Sequence, residues 1–262
     1  MSLSIIIIAK NEASRIKTCL QSVDFADEIV VVDSGSTDNT VEIAKEFTDR
    51  VIEIEWLGYS ATKQVALDHA RGDWVLWLDA DESIPKNLRN EIRQVINTEN
   101  YAGYYIARKT FFLGHWIRHC GWYPDYVLRL FQRTAEPRFT EDEVHESLCI
   151  NGDTGYLNFP IIHNTDPSLH HYFTKFNSFT SLAARQLYQS GYRFYLTDLL
   201  FRPIVTLVKM YIFKRGFLDG LPGFILCCLS ACYVFTKYSK LWHLYFRRSP
   251  DIESGKSVDS KP

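Results

Sequence analysis

Residues 74–78 read Trp-Val-Leu-Trp-Leu and end abruptly in Asp79-Ala80-Asp81-Glu82. A run that is apolar at every position, rather than every second one, has no face to give to water. It reads as a strand buried on both sides, as in a parallel sheet covered by helices. In open sheets of that kind ligands bind at the carboxyl edge of the strands, which is where this run delivers its carboxylates. Side chains alternate along a strand, so Asp79 and Asp81 share a face if the strand extends through both. Two hard oxygen donors so placed suit Mg²⁺ or Mn²⁺ holding a diphosphate. A plain acidic surface turn is the competing reading.

The flanking sequence repeats the pattern. Residues 3–9 and 28–32 are further buried-strand runs, 50–55 is a shorter one, and 41–47 and 59–70 have helical character. Asn11 is positioned to cap a helix carrying Glu12 and Arg15 in its first turn, and Asp38 the helix after it. Strands alternating with helices of this length imply βαβ crossovers and a parallel sheet. Right-handed crossovers gather Lys10-Asn11-Glu12, Asp33 and Asp79/Asp81 along one edge. No Gly-x-Gly-x-x-Gly follows the first strand and no Gly-Lys-Ser/Thr loop is present, so phosphates would be held through a metal rather than a glycine cradle.

Four segments occur in series: Ile8-Ala9-Lys10-Asn11-Glu12, Val32-Asp33-Ser34-Gly35-Ser36-Thr37-Asp38, the helix bearing Lys63, and Leu78-Asp79-Ala80-Asp81-Glu82. In order and spacing they resemble the family 2 inverting glycosyltransferases, over roughly residues 3–165. The whole chain looks most like bacterial lipopolysaccharide core enzymes of the β-1,4-glucosyltransferase kind. The resemblance implies a GT-A fold with a mostly parallel sheet, and a nucleotide-sugar donor. It implies that Ala9, Asn11 and Glu12 line the base and ribose pocket with Asp33 and Ser34, that Lys63 lies near the nucleotide, and that Asp79 and Ala80 meet the ribose. Asp81 would bind the metal, with Asp79 beside it. His163, which follows the strand-like residues 156–162, is the best-placed late histidine for the same ion.

Inverting transfer needs a base for the acceptor hydroxyl. The cluster Glu141-Asp142-Glu143-Val144-His145-Glu146 resembles the family's Glu-Asp motif, which makes Asp142 the base with Glu143 and Glu146 as the other candidates. A capping box at Thr140-x-x-Glu143 would account for the same residues structurally. Residues 101–109 and 127–131 read as strands. Arg129 within the latter points either to a carboxylate or phosphate, or outward by snorkelling. The aromatic stretch 111–123 suits sugar rings or ordinary loop packing.

The character changes near Ser168. Residues 169–190, 193–214 and 217–244 read as helices in which Lys and Arg intersperse with Phe, Tyr and Leu. The uncharged run 221–235 is shorter than the ~20 residues a spanning helix needs. It suits an interfacial or re-entrant helical region, with basic flanks meeting anionic headgroups, or else a lid on the catalytic domain. The division is a catalytic domain over 1–167, a membrane-surface helical region over 168–248, and a Ser-, Lys- and Asp-rich tail over 249–262 expected to be disordered. A net charge of −2 gives no reason to expect nucleic acid, and of the six cysteines Cys227, Cys228 and Cys232 lie in an apolar helical stretch, which reads as reduced, buried thiols rather than a disulfide scaffold. The first strand begins at once after Met1, so no secretory leader is expected. The location expected is the cytoplasmic face of the inner membrane.

The activity expected is therefore metal-dependent, inverting transfer of a hexose, favouring UDP-glucose, to a membrane glycolipid of the lipopolysaccharide inner core or another lipid-linked or polysaccharide acceptor. An Asp-x-Asp phosphohydrolase is the second reading. It is weakened because the pair follows the fourth strand and Ser83 stands where Thr or Val would be required. A non-catalytic adaptor on a degenerate domain is the third.

Overall fold

A computed structural model describes residues 1–98, 100–140 and 148–246. The chain forms two compact units that divide between Thr165 and Asp166.

The first unit is mixed α/β. Its strands are β1 (Leu3–Ala9), β2 (Glu28–Asp33), β3 (Val51–Glu53), β4 (Trp74–Asp79), β5 (Glu82–Ser83), β6 (Gly103–Phe112), β7 (His115–Trp116), β8 (Tyr126–Gln132), β9 (Arg138–Phe139), β10 (Leu148–Cys149), β11 (Thr154–Tyr156) and β12 (Ile161–Asp166, which ends one residue into the second unit). Helices α1 (Ile16–Ser22), α2 (Thr40–Lys45), α3 (Tyr59–Asp68) and α4 (Lys86–Val95) cover the sheet. The strand order is β3-β2-β1-β4-β8-β6-β12-β5. The β3-β2-β1-β4 half is parallel, whereas β8 runs antiparallel to both β4 and β6.

The all-apolar runs are explained by this layering. Ile5 and Ile7 of β1 pack into the core layer that holds Ile16 and Leu20 of α1 and Leu88 and Ile92 of α4. Ile6, one residue out of phase, enters the opposite layer with Ala66 and Leu67 of α3. Both faces of the strand are thus dry, and each such side chain contributes about 1.5–3 kcal/mol by leaving water.

Several expectations change. Asn11 does not cap a helix: it adopts φ 55°, α1 starts only at Ile16, and Asn11 Oδ1 accepts the Thr37 N–H at 2.7 Å. The polar tip of β1 is thereby tied to the loop after β2 rather than to its own helix. Asp38 Oδ1 accepts the Thr40 N–H at 3.1 Å where α2 begins. Residues 156–162 are not one strand. Pro160 has no N–H to give a ladder, and residues 157–160 separate β11 from β12, with Asn158 held by Glu91 through its backbone N–H at 2.9 Å. Helix α4 was not anticipated, although Pro85 at its start and Leu88, Ile92 and Val95 at helical spacing are the signals for it.

The second unit contains α5 (Leu169–Gln189), α6 (Leu196–Val208) and α7 (Gly220–Phe246). A π-helical turn over Lys209–Phe213 and a 3₁₀ turn over Gly216–Asp219 join α6 to α7. The helical segment Gly216–Phe246 is long and apolar enough to cross a membrane by length and composition, which the uncharged run alone is not.

Candidate active site

The register of the parallel strands aligns Ala9 with Asp33, and Ile8 with Asp79. The polar ends of β1, β2 and β4 therefore meet at one edge of the sheet.

The ends of β1 and β2 are laced together. Ser34 donates its backbone N–H and its hydroxyl to the Ala9 carbonyl at 3.0 and 3.1 Å. Asp33, 2 % exposed, folds the following turn back on itself: its carboxylate accepts the Gly35 and Ser36 N–H groups at 3.0 and 2.8 Å and the Ser36 hydroxyl at 2.5 Å. Ser36 Oγ accepts the Asn11 N–H at 2.8 Å and Thr40 Oγ1 accepts that of Glu12 at 2.8 Å. These bonds hold Ala9, Asn11, Glu12, Asp33 and Ser34 as one shaped rim.

The two aspartates of Asp79-Ala80-Asp81 do not share a face. Strand β4 stops at Asp79 and the chain turns through Ala80 and Asp81 before β5, so strand alternation ends before it reaches Asp81. Asp79 turns to two buried cations, Lys63 Nζ of α3 at 3.3 Å and the Arg129 guanidinium of β8 at 3.3 Å. Both cations lie against the Trp77 ring, at 3.8 and 3.5 Å from its centroid. The indole shields them while its own N–H donates to the Leu128 carbonyl at 2.8 Å. Burial pushes the Asp79 carboxyl up, but Lys63 and then Arg129 outweigh it and hold it well below the usual carboxylate range. Arg129 has no exposed surface and makes a second, shorter contact with Glu82 at 2.6 Å. Glu82 in turn accepts the Asp79 N–H at 3.0 Å. Burial pushes the Glu82 carboxyl up and Arg129 offsets that only in part. Of the two readings open for Arg129, the carboxylate partner is the one observed, because a side chain with no route to water cannot snorkel.

Asp81 faces the other way. One oxygen lies 3.4 Å from Arg15, the other 3.4 Å from His163 Nε2. The antiparallel pairing of His163 with Glu82 brings β12 alongside. Burial favours the neutral His163 ring, but the hydrogen bond and charge of Asp81 outweigh it and raise its pKa. Arg15 acts as a clamp: it forks onto both oxygens of Glu12 at 2.6 Å and donates to the Asn164 and Thr165 carbonyls at 3.2 and 3.1 Å. The α1 cap reading hid this residue's role. Glu82 and Arg15 are thus site components that sequence reasoning passed over. The signals available were a charged residue directly after the acidic pair, and an arginine three residues after Glu12.

Among the described residues no group of three or more His, Cys, Asp or Glu side chains is gathered as a metal cluster. The donor set toward an ion is Asp81 with His163 nearby, while Asp79 is committed to its cations. Such a sparse oxygen set fits Mg²⁺, or Mn²⁺ used in the same way, which is held through one or two carboxylates and completes its shell with waters and ligand phosphates. The candidate bases Asp142, Glu143 and Glu146 lie outside the described residues.

The sequence profile described as Glycosyl transferase family 2 matches residues 4–144. The chain is 29 % identical to the lipopolysaccharide core biosynthesis glycosyltransferase LpsC of Rhizobium meliloti, an alignment covering 98 % of each. It is 31 % identical to an uncharacterized glycosyltransferase of Rickettsia felis over 91 % of this chain and 89 % of that one. Among solved structures, S. aureus TarS 1-349 in complex with UDP-GlcNAc matches at 16 % identity and a TM-score of 0.49, covering 95 % of this chain and 92 % of the other.

Proposed function

The chain belongs to glycosyl transferase family 2, and from that premise we propose that it transfers glucose from UDP-glucose, with inversion, to a hydroxyl of a membrane glycolipid in lipopolysaccharide core assembly. The observation that carries the reading is the meeting of three strand ends around one carboxylate, Asp81, that the buried cations leave to other partners. The full-length similarity to LpsC supports the acceptor class.

The acceptor oxygen attacks the anomeric carbon as its bond to the nucleoside diphosphate breaks, and a base takes the acceptor proton. Asp142 is the favoured base, with Glu146 and Glu143 next. Ala9, Asn11, Glu12, Asp33 and Ser34 form the rim for the uridine, and Asp79 and Ala80 meet the ribose. Lys63 keeps a positive charge close to the diphosphate. Asp81, with His163 beside it, would hold Mg²⁺ or Mn²⁺, while Asp79, expected from sequence as a second donor, stays with its cations; the ion would neutralise charge developing on the leaving diphosphate. The Glu12–Arg15 clamp fixes Asp81 before substrate arrives, so little reorganisation is needed as the bond breaks. Domains are read as 1–167 catalytic, 168–248 membrane-facing and 249–262 tail, with the protein on the cytoplasmic face of the inner membrane. The phosphohydrolase reading loses ground, because an Asp79 tied to Lys63 and Arg129 is a poor nucleophile.

The test is thermal stabilisation by UDP and UDP-glucose with and without Mn²⁺, followed by transfer of labelled glucose to core-truncated lipopolysaccharide. Ion-dependent stabilisation and labelling support the proposal, since ligand binding to the native state raises apparent stability. Stabilisation by ADP- or GDP-sugars instead changes the donor. Phosphate-monoester turnover without a sugar acceptor would overturn it.

A further inference from the structure

The second unit is turned inside out along α6. Leu196, Leu200, Phe201, Ile204, Val205 and Val208 recur at helical spacing and are all exposed, Leu196, Phe201 and Val205 by more than 60 %. Leu199 packs half-buried on the cluster of Ala184, Tyr238 and Leu241, but the most deeply buried side chain of α6 is a carboxylate. Asp198 is 7 % exposed, accepting the Tyr192 hydroxyl at 2.8 Å and Arg202 Nε at 2.6 Å. In a helix that packs its apolar stripe inward the arrangement is the reverse. The exposed apolar surface runs on through the turn to α7, with Ile212, Phe213, Phe217, Leu218 and Leu221. Interleaved with it are Lys209, Lys214 and Arg215, all exposed. A contiguous apolar surface of this extent marks an interaction site.

We propose that α6 and the turn over 209–218 form an in-plane membrane anchor, with the α6 stripe in the acyl–headgroup boundary and Lys209, Lys214 and Arg215 on anionic headgroups. This rests on the membrane-acceptor reading above and assigns the segment and the lipid class to it. The choice of a bilayer over a second copy of the chain follows from composition. Lys is depleted at protein–protein interfaces, whereas aromatic and apolar side chains alternating with Lys and Arg suit an interfacial helix. An in-plane rather than a spanning arrangement follows from the packing of α7. Its Lys240 Nζ donates to the Asn177 carbonyl and side chain, Thr180 Oγ1 and Ser181 Oγ of α5 at 2.8 to 2.9 Å. Spanning by α7 would draw this polar seam and α5 with it into hydrocarbon.

The experiment is co-sedimentation of the full chain with vesicles of phosphatidylcholine alone and of phosphatidylcholine mixed with phosphatidylglycerol, which gives the surface the negative potential of a cytoplasmic leaflet. Wild type should pellet with the anionic vesicles, less at high salt. Each basic residue near such a surface is worth about fivefold in partition, so Lys214→Glu/Arg215→Glu should cost about thirtyfold or more. Phe201→Glu/Val205→Glu, both exposed and so tolerated by the fold, should abolish pelleting. UDP-induced thermal stabilisation should be unchanged in both variants, which separates failure of the anchor from failure of the transferase reading. Wild type remaining in the supernatant, or Phe201→Glu/Val205→Glu pelleting like wild type, would overturn the proposal. So would a concentration-dependent dimer without lipid that the same substitutions dissolve.

Discussion

Replacing Arg129 with methionine tests whether the acidic edge depends on a buried cation. Arg129 has no exposed surface and lies 2.6 Å from Glu82 and 3.3 Å from Asp79, its guanidinium over Trp77. Methionine keeps most of the volume and the contact with the indole but removes the charge. Asp79 retains Lys63 at 3.3 Å; Glu82, equally buried, loses the guanidinium 2.6 Å from its carboxylate. Breaking a buried pair from one side costs about 3–5 kcal/mol, because the remaining charge is left without compensation. In a chain of this size that lowers the melting temperature by roughly 10 °C. Glu82→Gln alone should cost less, since an amide oxygen can still accept the Asp79 N–H. The double variant Arg129→Met/Glu82→Gln should then recover about 2 kcal/mol of the single-variant loss, a coupling expected for residues in direct contact. Urea unfolding of the four proteins, followed by fluorescence, measures the cycle. Strict additivity, or a loss below about 1 kcal/mol for Arg129→Met, would refute the claim that Glu82 depends on this cation.

Asp81→Ala should lower transfer by about 10²–10³-fold, as loss of one preorganised charge-stabilising group does, and should abolish the Mn²⁺-dependent part of UDP stabilisation; near-normal turnover would remove Asp81 from the site. Asp142→Asn should lose transfer while binding UDP-glucose as wild type does in calorimetry, and if it does not, Glu146→Gln is the variant expected to. Gly72→Ala should destabilise by about 1–3 kcal/mol in thermal unfolding through overpacking, because a Cβ there would lie 2.6 Å from the Ser4 nitrogen and 2.7 Å from its hydroxyl; unchanged stability would mean that the start of β1 can yield to a methyl group at no cost.

The local physics of the chain was enough for the parallel half of the sheet. Runs such as residues 74–78 and 3–9, apolar at every position, have one solution in water, burial on both faces, and their charged ends then fall at a common edge. The motifs at those ends were likewise legible, because each is contiguous in sequence, and they were sufficient to recognise the family. Which way the carboxylates point was not legible. Asp79 and Asp81 part company because the strand stops between them, and the partners they face come from Arg15 just before α1 and from α3, β8 and β12, far away in sequence. Arg129 reads locally as an oddity among apolar neighbours, and only the antiparallel pairing of β8 with β4 gives it Asp79 and Glu82 to face. The same holds for α6. Its sequence declares an amphipathic helix, but periodicity carries no sign, and only the packed structure decides that Asp198 turns inward and the apolar stripe outward.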